Sequence, residues 1–284
     1  MDYKKATDDI RSVLLEAGEH ALNIQKTIKR QYKQGQQAVT QADLDISKMV
    51  AQRLSHWLER EDQVLIDEES IDTIATPGEV FAATRYQWVL DPIDGTAGYA
   101  LGRDKWGISL GLLENGRPAA GGFYMPALGA LIVVEEGKAF YTDIHTNQKR
   151  QVPDAQPMEV NSQIFIESFF GFEDHWGENT FQNKAWLNTP ESALQAGYST
   201  LMQQSAGMTV FGIFSLWDIA GIAVIAKAAG FEFTSLQDGK KLETFTGEHF
   251  DPSWKLKGRW VVSHPKTYQA IRDALTGNTG DKAA

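Results

Sequence analysis

Residues 86–96 read Tyr86-Gln87-Trp88-Val89-Leu90-Asp91-Pro92-Ile93-Asp94-Gly95-Thr96. The apolar run Trp88-Val89-Leu90 is strand-like. Pro92 disfavours helix at Asp91 and keeps the chain extended there. Asp94-Gly95 is a turn dipeptide, and Gly95 permits backbone geometry that sets successive N–H groups on one side. Asp91 and Asp94, three residues apart at a strand end, can converge on one hard cation. Oxygen ligands suit Mg²⁺, Mn²⁺ or Ca²⁺. The free N–H groups of Gly95 and Thr96 suit a phosphate. The same residues also fit an ordinary solvated turn, so the decision falls to the rest of the chain.

Upstream the period is helical. Ile10, Val13, Leu14, Ala17, Ala21 and Ile24 share one face, as do Ile46, Met49, Val50, Leu54, Trp57 and Leu58. The polar stretch 33–40 connects these two amphipathic helices. Downstream the period shortens. Residues 64–67, 86–90, 106–113, 120–125 and 130–136 read as strands, with turns at 114–118 and 126–129. Glu114-Asn115-Gly116 between two such runs predicts a hairpin. Two helices followed by a largely antiparallel meander define an α+β class with layered packing. Residues 159–168 and 259–264 read as further strands, and 215–230 and 265–275 as helices. The stretch 170–210 has no clean period. A polar, turn-rich segment at 145–157 suggests an N-terminal α+β half, 1–148, and a C-terminal half, 149–284, joined in one compact unit.

Further acids bear on the Asp91–Asp94 pair. Glu68 and Glu69 follow the strand Val64–Asp67, and consecutive acids repel unless a cation or solvent relieves them. Asp218 interrupts an apolar run, where a carboxylate has to be paired, capped or metal-bound. Ser215-x-x-Asp218 also fits a capping box, and so does Thr40-x-x-Asp43 before the second helix.

Composition excludes several rival chemistries. The 284 residues carry 27 Lys plus Arg against 37 Asp plus Glu, a net charge of −10. That balance argues against binding a nucleic-acid polymer, which needs a basic face. With no cysteine there is no disulfide, thiol nucleophile or Cys-ligated zinc. The six histidines have no paired ligand spacing, and no phosphate-binding P-loop or nucleophile-elbow serine is present. The apolar stretch 212–231 has the length of a membrane span, but Asp218 and Lys227 interrupt it, so a buried helix is expected. The start, Met1–Ile10, lacks the apolar core of a signal peptide, and a cytoplasmic location is expected.

Four motifs in order now resemble the inositol monophosphatase family of Mg²⁺-dependent, lithium-sensitive phosphomonoesterases. They are Val39-Thr40-Gln41-Ala42-Asp43, Glu68-Glu69-Ser70, Trp88 through Thr96, and Trp217-Asp218-Ile219-Ala220-Gly221. The resemblance is strongest over 39–135 and 215–230, and poor over 140–210. It implies a layered α-β-α-β-α sugar-phosphatase-like fold. Glu68 and Asp91, with the Ile93 carbonyl, would hold a first metal ion, and Asp91, Asp94 and Asp218 a second. Thr96, paired with Asp43, would orient and deprotonate a metal-activated water, with Glu68 assisting. The Gly95 and Thr96 N–H groups would bind phosphate, and Glu69 would support the ligands from behind. Two or three Mg²⁺ per site are implied, with Mn²⁺ acceptable and Ca²⁺ or Li⁺ inhibitory, and so is a homodimer.

Substrate identity is less legible. In inositol-specific members a glutamate seven residues before the Trp-Asp aspartate binds substrate hydroxyls; here that position is Phe211, beside Val210 and Gly212. A second-half Gly-[Ser/Thr]-Ala-Ala motif is at best echoed by Gly197-Tyr198-Ser199-Thr200. The run Gly102-Arg103-Asp104-Lys105-Trp106-Gly107 is similar to relatives acting on 3′-phosphoadenosine 5′-phosphate or histidinol phosphate. Arg103 and Lys105 would then meet a second phosphate or another substrate anion; otherwise they form an exposed basic loop. The expected substrate is a small phosphorylated metabolite: an inositol monophosphate by default, or a 3′(2′),5′-bisphosphate nucleotide, histidinol phosphate or fructose-1,6-bisphosphate. The alternative of a different class is a non-catalytic protein that keeps the fold and a metal or phosphate site.

Overall fold

The computed structural model describes residues 1–28, 35–158, 164–165, 187–188, 191–211 and 214–276. In chain order its helices are α1 (Tyr3–Ile28), α2 (Gly35–Arg53), α3 (Ser55–Leu58), α4 (Pro77–Ala83), α5 (Thr96–Ala100), α6 (Ala193–Leu201), α7 (Leu216–Ala229) and α8 (Pro265–Thr276). The first sheet runs β1 (Gln63–Asp67), β2 (Tyr86–Asp94), β3 (Gly107–Glu114), β4 (Arg117–Met125), β5 (Ala130–Glu135), β6 (Lys138–Asp143) and β7 (Gln148–Gln151), in that spatial order. All its pairings are antiparallel except β1 with β2. The second sheet orders β11 (Glu232–Ser235), β12 (Arg259–Ser263), β10 (Gly207–Phe211), β8 (Ile164–Phe165) and β9 (Leu187–Asn188).

The layers follow from which faces are apolar. Ile10, Val13, Leu14, Ala17 and Ala21 of α1, with Ile46 and Val50 of α2, bury against Trp88, Leu90, Leu110 and Tyr124 on one face of the first sheet. The other face packs on α7 and α6, which the second sheet covers in turn. Helix α8 closes the far side through Ile271 and Leu275. The result is the expected α-β-α-β-α layering. Helix α7 is apolar on every side because sheets cover it on both faces, which is why its sequence imitates a membrane span. No described helix is long and apolar enough to cross a membrane.

The hairpin at Asn115-Gly116 forms as expected, both residues at positive φ (50° and 74°), which the tight β3–β4 turn requires. Other expectations need correction. The stretch 33–40 was expected to be a connection, but the chain is helical from Gly35. Thr40 therefore lies inside α2, not at its start, and capping no longer accounts for Asp43. Strand β7 carries only Gln, Lys and Arg, all exposed, so this polar edge strand leaves no apolar pattern to read. It carries the first sheet past residue 148, to Gln151. Within 170–210 the structure has β9, α6 and most of β10. Of the strand expected at 159–168, β8 is described and the rest lies outside the described residues.

Helix α7 rides unusually close to the first sheet. A Cβ on Gly221 would stand 2.4 Å from Ser109 Oγ and 2.8 Å from the Gly122 carbonyl oxygen. Gly221→Ala should therefore push the helix off the sheet and destabilise the protein by about 1–3 kcal/mol, read as a lower urea midpoint at unchanged slope. Because Asp218 lies one turn earlier on α7, the same variant should weaken divalent-ion binding.

Candidate active site

The site forms where β2 ends. Asp91 pairs with Ser109 of β3 and Asp94 with Gly107, so three steps on β2 oppose two on β3. That extra residue is a β-bulge. In a regular strand, residues three apart face opposite sides of the sheet; the bulge cancels the alternation and turns both carboxylates to one side. Pro92 sits within the bulge, where its missing N–H costs no ladder hydrogen bond. Gly95 follows in the left-handed region (φ 87°), ending the strand and starting α5.

Asp218 approaches from the other layer. It is the third residue of α7, and its Oδ2 accepts the Ser215 N–H at 2.6 Å. The capping box read from the sequence is present, yet it takes only one of the carboxylate oxygens. The start of α7 is further held by the Leu216 N–H, which donates to the Trp254 carbonyl at 3.2 Å. Among the described residues, Asp91, Asp94 and Asp218 bring one carboxylate oxygen each within 4.8 Å of one another.

The electrostatics of this cluster are unfavourable without a counter-charge. Asp91 is 1% exposed, and its Oδ1 has no hydrogen-bond partner. Burial first, then Asp94, Glu68, Asp218 and Asp43, push its carboxyl well above the usual range. Burial and the neighbouring Asp94 and Glu68 do the same to Asp218. Burial holds Glu68 up at about 7, with Glu69, Asp94 and Asp67 adding to it. Asp43, 3% exposed in the body of α2, is pushed up to about 8 by burial and by Glu69, Glu68 and Asp67. Glu69 is raised for the same two reasons, burial and Asp67. An orphaned buried carboxylate oxygen inside an all-oxygen cluster is the donor set of a hard divalent cation. The residues present fit such an ion.

Two supports were not legible in the sequence reading. Asp67, 3% exposed, accepts the Ser47 hydroxyl at 3.0 Å and the Glu69 N–H at 3.3 Å, tying the Glu68–Glu69 turn to α2. Asp94 is bound by the first amides of α6: Ala193 N–H to Oδ1 at 3.0 Å and Leu194 N–H to Oδ2 at 2.6 Å. Burial still holds Asp94 up at about 6, although these amides and the Ser192 hydroxyl pull it down. The overlooked signal was Ser192-Ala193-Leu194-Gln195, a helix start in which Ser192 Oγ accepts the Gln195 N–H at 3.0 Å and Gln195 Oε1 accepts the Glu191 N–H at 2.6 Å. The echo expected at Gly197–Thr200 instead lies in the body of α6, where Gly197 packs against Ile222.

One expected pairing is not formed. The Thr96 hydroxyl donates to the Ile93 carbonyl at 3.0 Å, not to Asp43, because the tight turn at Gly95 folds the side chain back onto the residue three before it. Arg103 and Lys105 stand at the lip beside α5, and both are paired with Glu191, at 3.1 and 3.3 Å. The Phe211 side chain lies outside the described residues.

An acid cluster between two sheets, fed by a bulged strand end and two helix starts, defines a layered α+β protein whose carboxylates could hold a metal ion. The chain belongs to the inositol monophosphatase family, whose model matches residues 3–275. It is 28% identical over 173 residues to the 3′(2′),5′-bisphosphate nucleotidase CysQ of Salmonella typhimurium, covering 60% of this chain and 67% of that one. It is 27% identical over 214 residues to the fructose-1,6-bisphosphatase/inositol-1-monophosphatase of Thermotoga maritima, covering 73% of this chain and 75% of that one. The fold matches Mycobacterium tuberculosis SuhB with a TM-score of 0.70 at 18% identity, covering 98% of both chains.

Proposed function

We propose that the chain hydrolyses a phosphate monoester of a small metabolite at the Asp91–Asp94–Asp218 cluster, with Mg²⁺ as cofactor. The observation that carries this reading is the buried Asp91 Oδ1, without a partner, in a group of three carboxylates within 4.8 Å. Asp91, Asp94 and Asp218, with Glu68 in the turn just after β1, are the residues that would hold the ions. When bound, divalent cations neutralise the phosphate, lower the pKa of an attacking water and steady the leaving oxygen.

The remaining work falls to this chain's own groups. The Gly95 and Thr96 N–H groups, at the turn after β2, bind and orient the phosphate. The Thr96 hydroxyl spends its proton on Ile93, so its lone pairs are left to accept a hydrogen of the attacking water. Asp43, a buried carboxylate of α2 outside the three-carboxylate group, takes up, in its ionised form, the proton that the water releases. Glu68 assists, and Glu69 backs the turn that carries it. The water oxygen bonds to phosphorus, the ester P–O bond breaks, and the leaving oxygen takes a proton from solvent water to give an alcohol. The enzyme is further proposed to be a cytoplasmic homodimer, inhibited by Li⁺ and by Ca²⁺.

The test is phosphate release from inositol 1-phosphate, 3′-phosphoadenosine 5′-phosphate, fructose-1,6-bisphosphate, histidinol phosphate and glycerol 2-phosphate, each with Mg²⁺ and with Mg²⁺ plus Li⁺. Release from at least one ester that falls with Li⁺ is expected. Silence across the panel, with calorimetric binding of Mg²⁺ and phosphate retained, would establish a non-catalytic binding protein instead.

A further inference from the structure

The loop after α5 carries two cations that one glutamate holds. Arg103 Nη1 lies 3.1 Å from Glu191 Oε2, and Lys105 Nζ lies 3.3 Å from Glu191 Oε1. The backbone beneath them is fixed: the buried Gln25 donates its Nε2 to the Tyr99 carbonyl at 3.0 Å and to the Arg103 carbonyl at 3.1 Å. Glu191 is fixed as well, since it immediately precedes the Ser192 cap of α6, whose next two amides hold Asp94. The trio overhangs the active-site turn. A Cβ on Gly95 would meet Ser192 Cβ at 2.8 Å, and one on Gly98 would lie 3.9 Å from both Arg103 Cβ and Glu191 Oε2.

The trio is nonetheless open to water. The side chains of Arg103, Lys105 and Glu191 are 57%, 49% and 30% exposed. Ion pairs this exposed contribute roughly 0–1 kcal/mol and are readily exchanged for a stronger anion. A phosphate dianion brings more charge than a carboxylate, and its oxygens match the fork of an arginine.

We propose that Arg103 and Lys105 form a second anion position at the lip of the active site, and that Glu191 is its built-in competitor, setting the preference between esters that carry a second phosphate and those that carry one. This rests on the phosphatase reading of the site. With Glu191 and the neighbouring Asp104 in place the lip is close to neutral, so a second phosphate is rewarded only as far as it displaces the Glu191 carboxylate. Singly phosphorylated esters leave the trio closed. Glu191 thereby tunes specificity without touching the reacting phosphate.

The test uses two probes that differ only by the distal phosphate, 3′-phosphoadenosine 5′-phosphate and adenosine 3′-phosphate. Their kcat/KM ratio is measured in the wild-type protein, in Glu191→Gln and in the double variant Arg103→Ala/Lys105→Ala. Glu191→Gln keeps the backbone bond to Gln195, and a thermal scan checks that α6 stays capped. The ratio should rise severalfold in Glu191→Gln and fall about tenfold in the double variant, as expected for losing charge-assisted contacts. A ratio that stays the same in both variants would overturn the proposal. If neither probe is hydrolysed, the phosphatase reading still stands or falls on the ester panel above. Calorimetric Kd values for the same two probes in the presence of Ca²⁺ then decide the lip separately, and a Kd ratio indifferent to these variants would also overturn it.

Discussion

Asp91→Asn should abolish phosphate release while making the metal-free protein more stable. Asp91 sits at the bulge of β2, 1% exposed, with an Oδ1 that no protein group satisfies. Removing its charge removes a ligand from the centre of the cluster. A loss of roughly a thousandfold in kcat is expected, about 4 kcal/mol of transition-state stabilisation. The same substitution relieves a buried anion that faces Asp94, Glu68, Asp218 and Asp43. Without metal, the variant should therefore gain about 1–3 kcal/mol over wild type in urea unfolding. A purely structural Asp91 would give the opposite pair of results: retained turnover and lost stability.

The second large effect concerns pH. Asp43, Glu68 and Asp94 are held up at about 8, 7 and 6, with Asp91 and Asp218 raised as well. In the unfolded chain such groups titrate near 4. Between these limits the native state binds more protons than the unfolded one, so the stability of the metal-free protein must fall as pH rises. The contribution is complete below about pH 4 and is lost progressively through about pH 8. Metal binding requires the deprotonated carboxylates, so Mg²⁺ releases protons and stabilises most where the cluster is most strained. Thermal unfolding in chelator and in Mg²⁺ should therefore give Tm curves that diverge from pH 5 to pH 8. Parallel curves, equally sensitive to pH with and without Mg²⁺, would separate the acid cluster from metal binding.

Much of this site was legible because its residues are local. The β2 stretch sets out both aspartates, the bulge-forming proline and the turn glycine within a few positions. Asp218 was legible for a different reason, since a carboxylate in an apolar helix needs a partner. What stayed hidden is non-local. That the amides of Ala193 and Leu194 hold Asp94 follows from the docking of α6 on β2, across 99 and 100 residues of chain. The same docking brings Glu191 to Arg103, 88 residues away. Periodicity within 170–210 cannot report such contacts. Asp43 was misread locally, because the helix begins at Gly35 and not at Thr40. The bond from the Thr96 hydroxyl to Ile93 was hidden because it depends on the positive-φ glycine before it, which folds the chain back.

The net charge of −10 gives these observations a common consequence. An acidic protein whose site is a buried acid cluster repels a phosphate ester unless cations intervene. The most direct measurement is therefore the initial rate of phosphate release from the best ester of the panel, followed as free Mg²⁺ is raised from a fully chelated start. The rate should begin at the uncatalysed background, rise with saturation and return to background when chelator is restored. Release that persists undiminished in excess chelator would contradict a metal-dependent site at Asp91, Asp94 and Asp218.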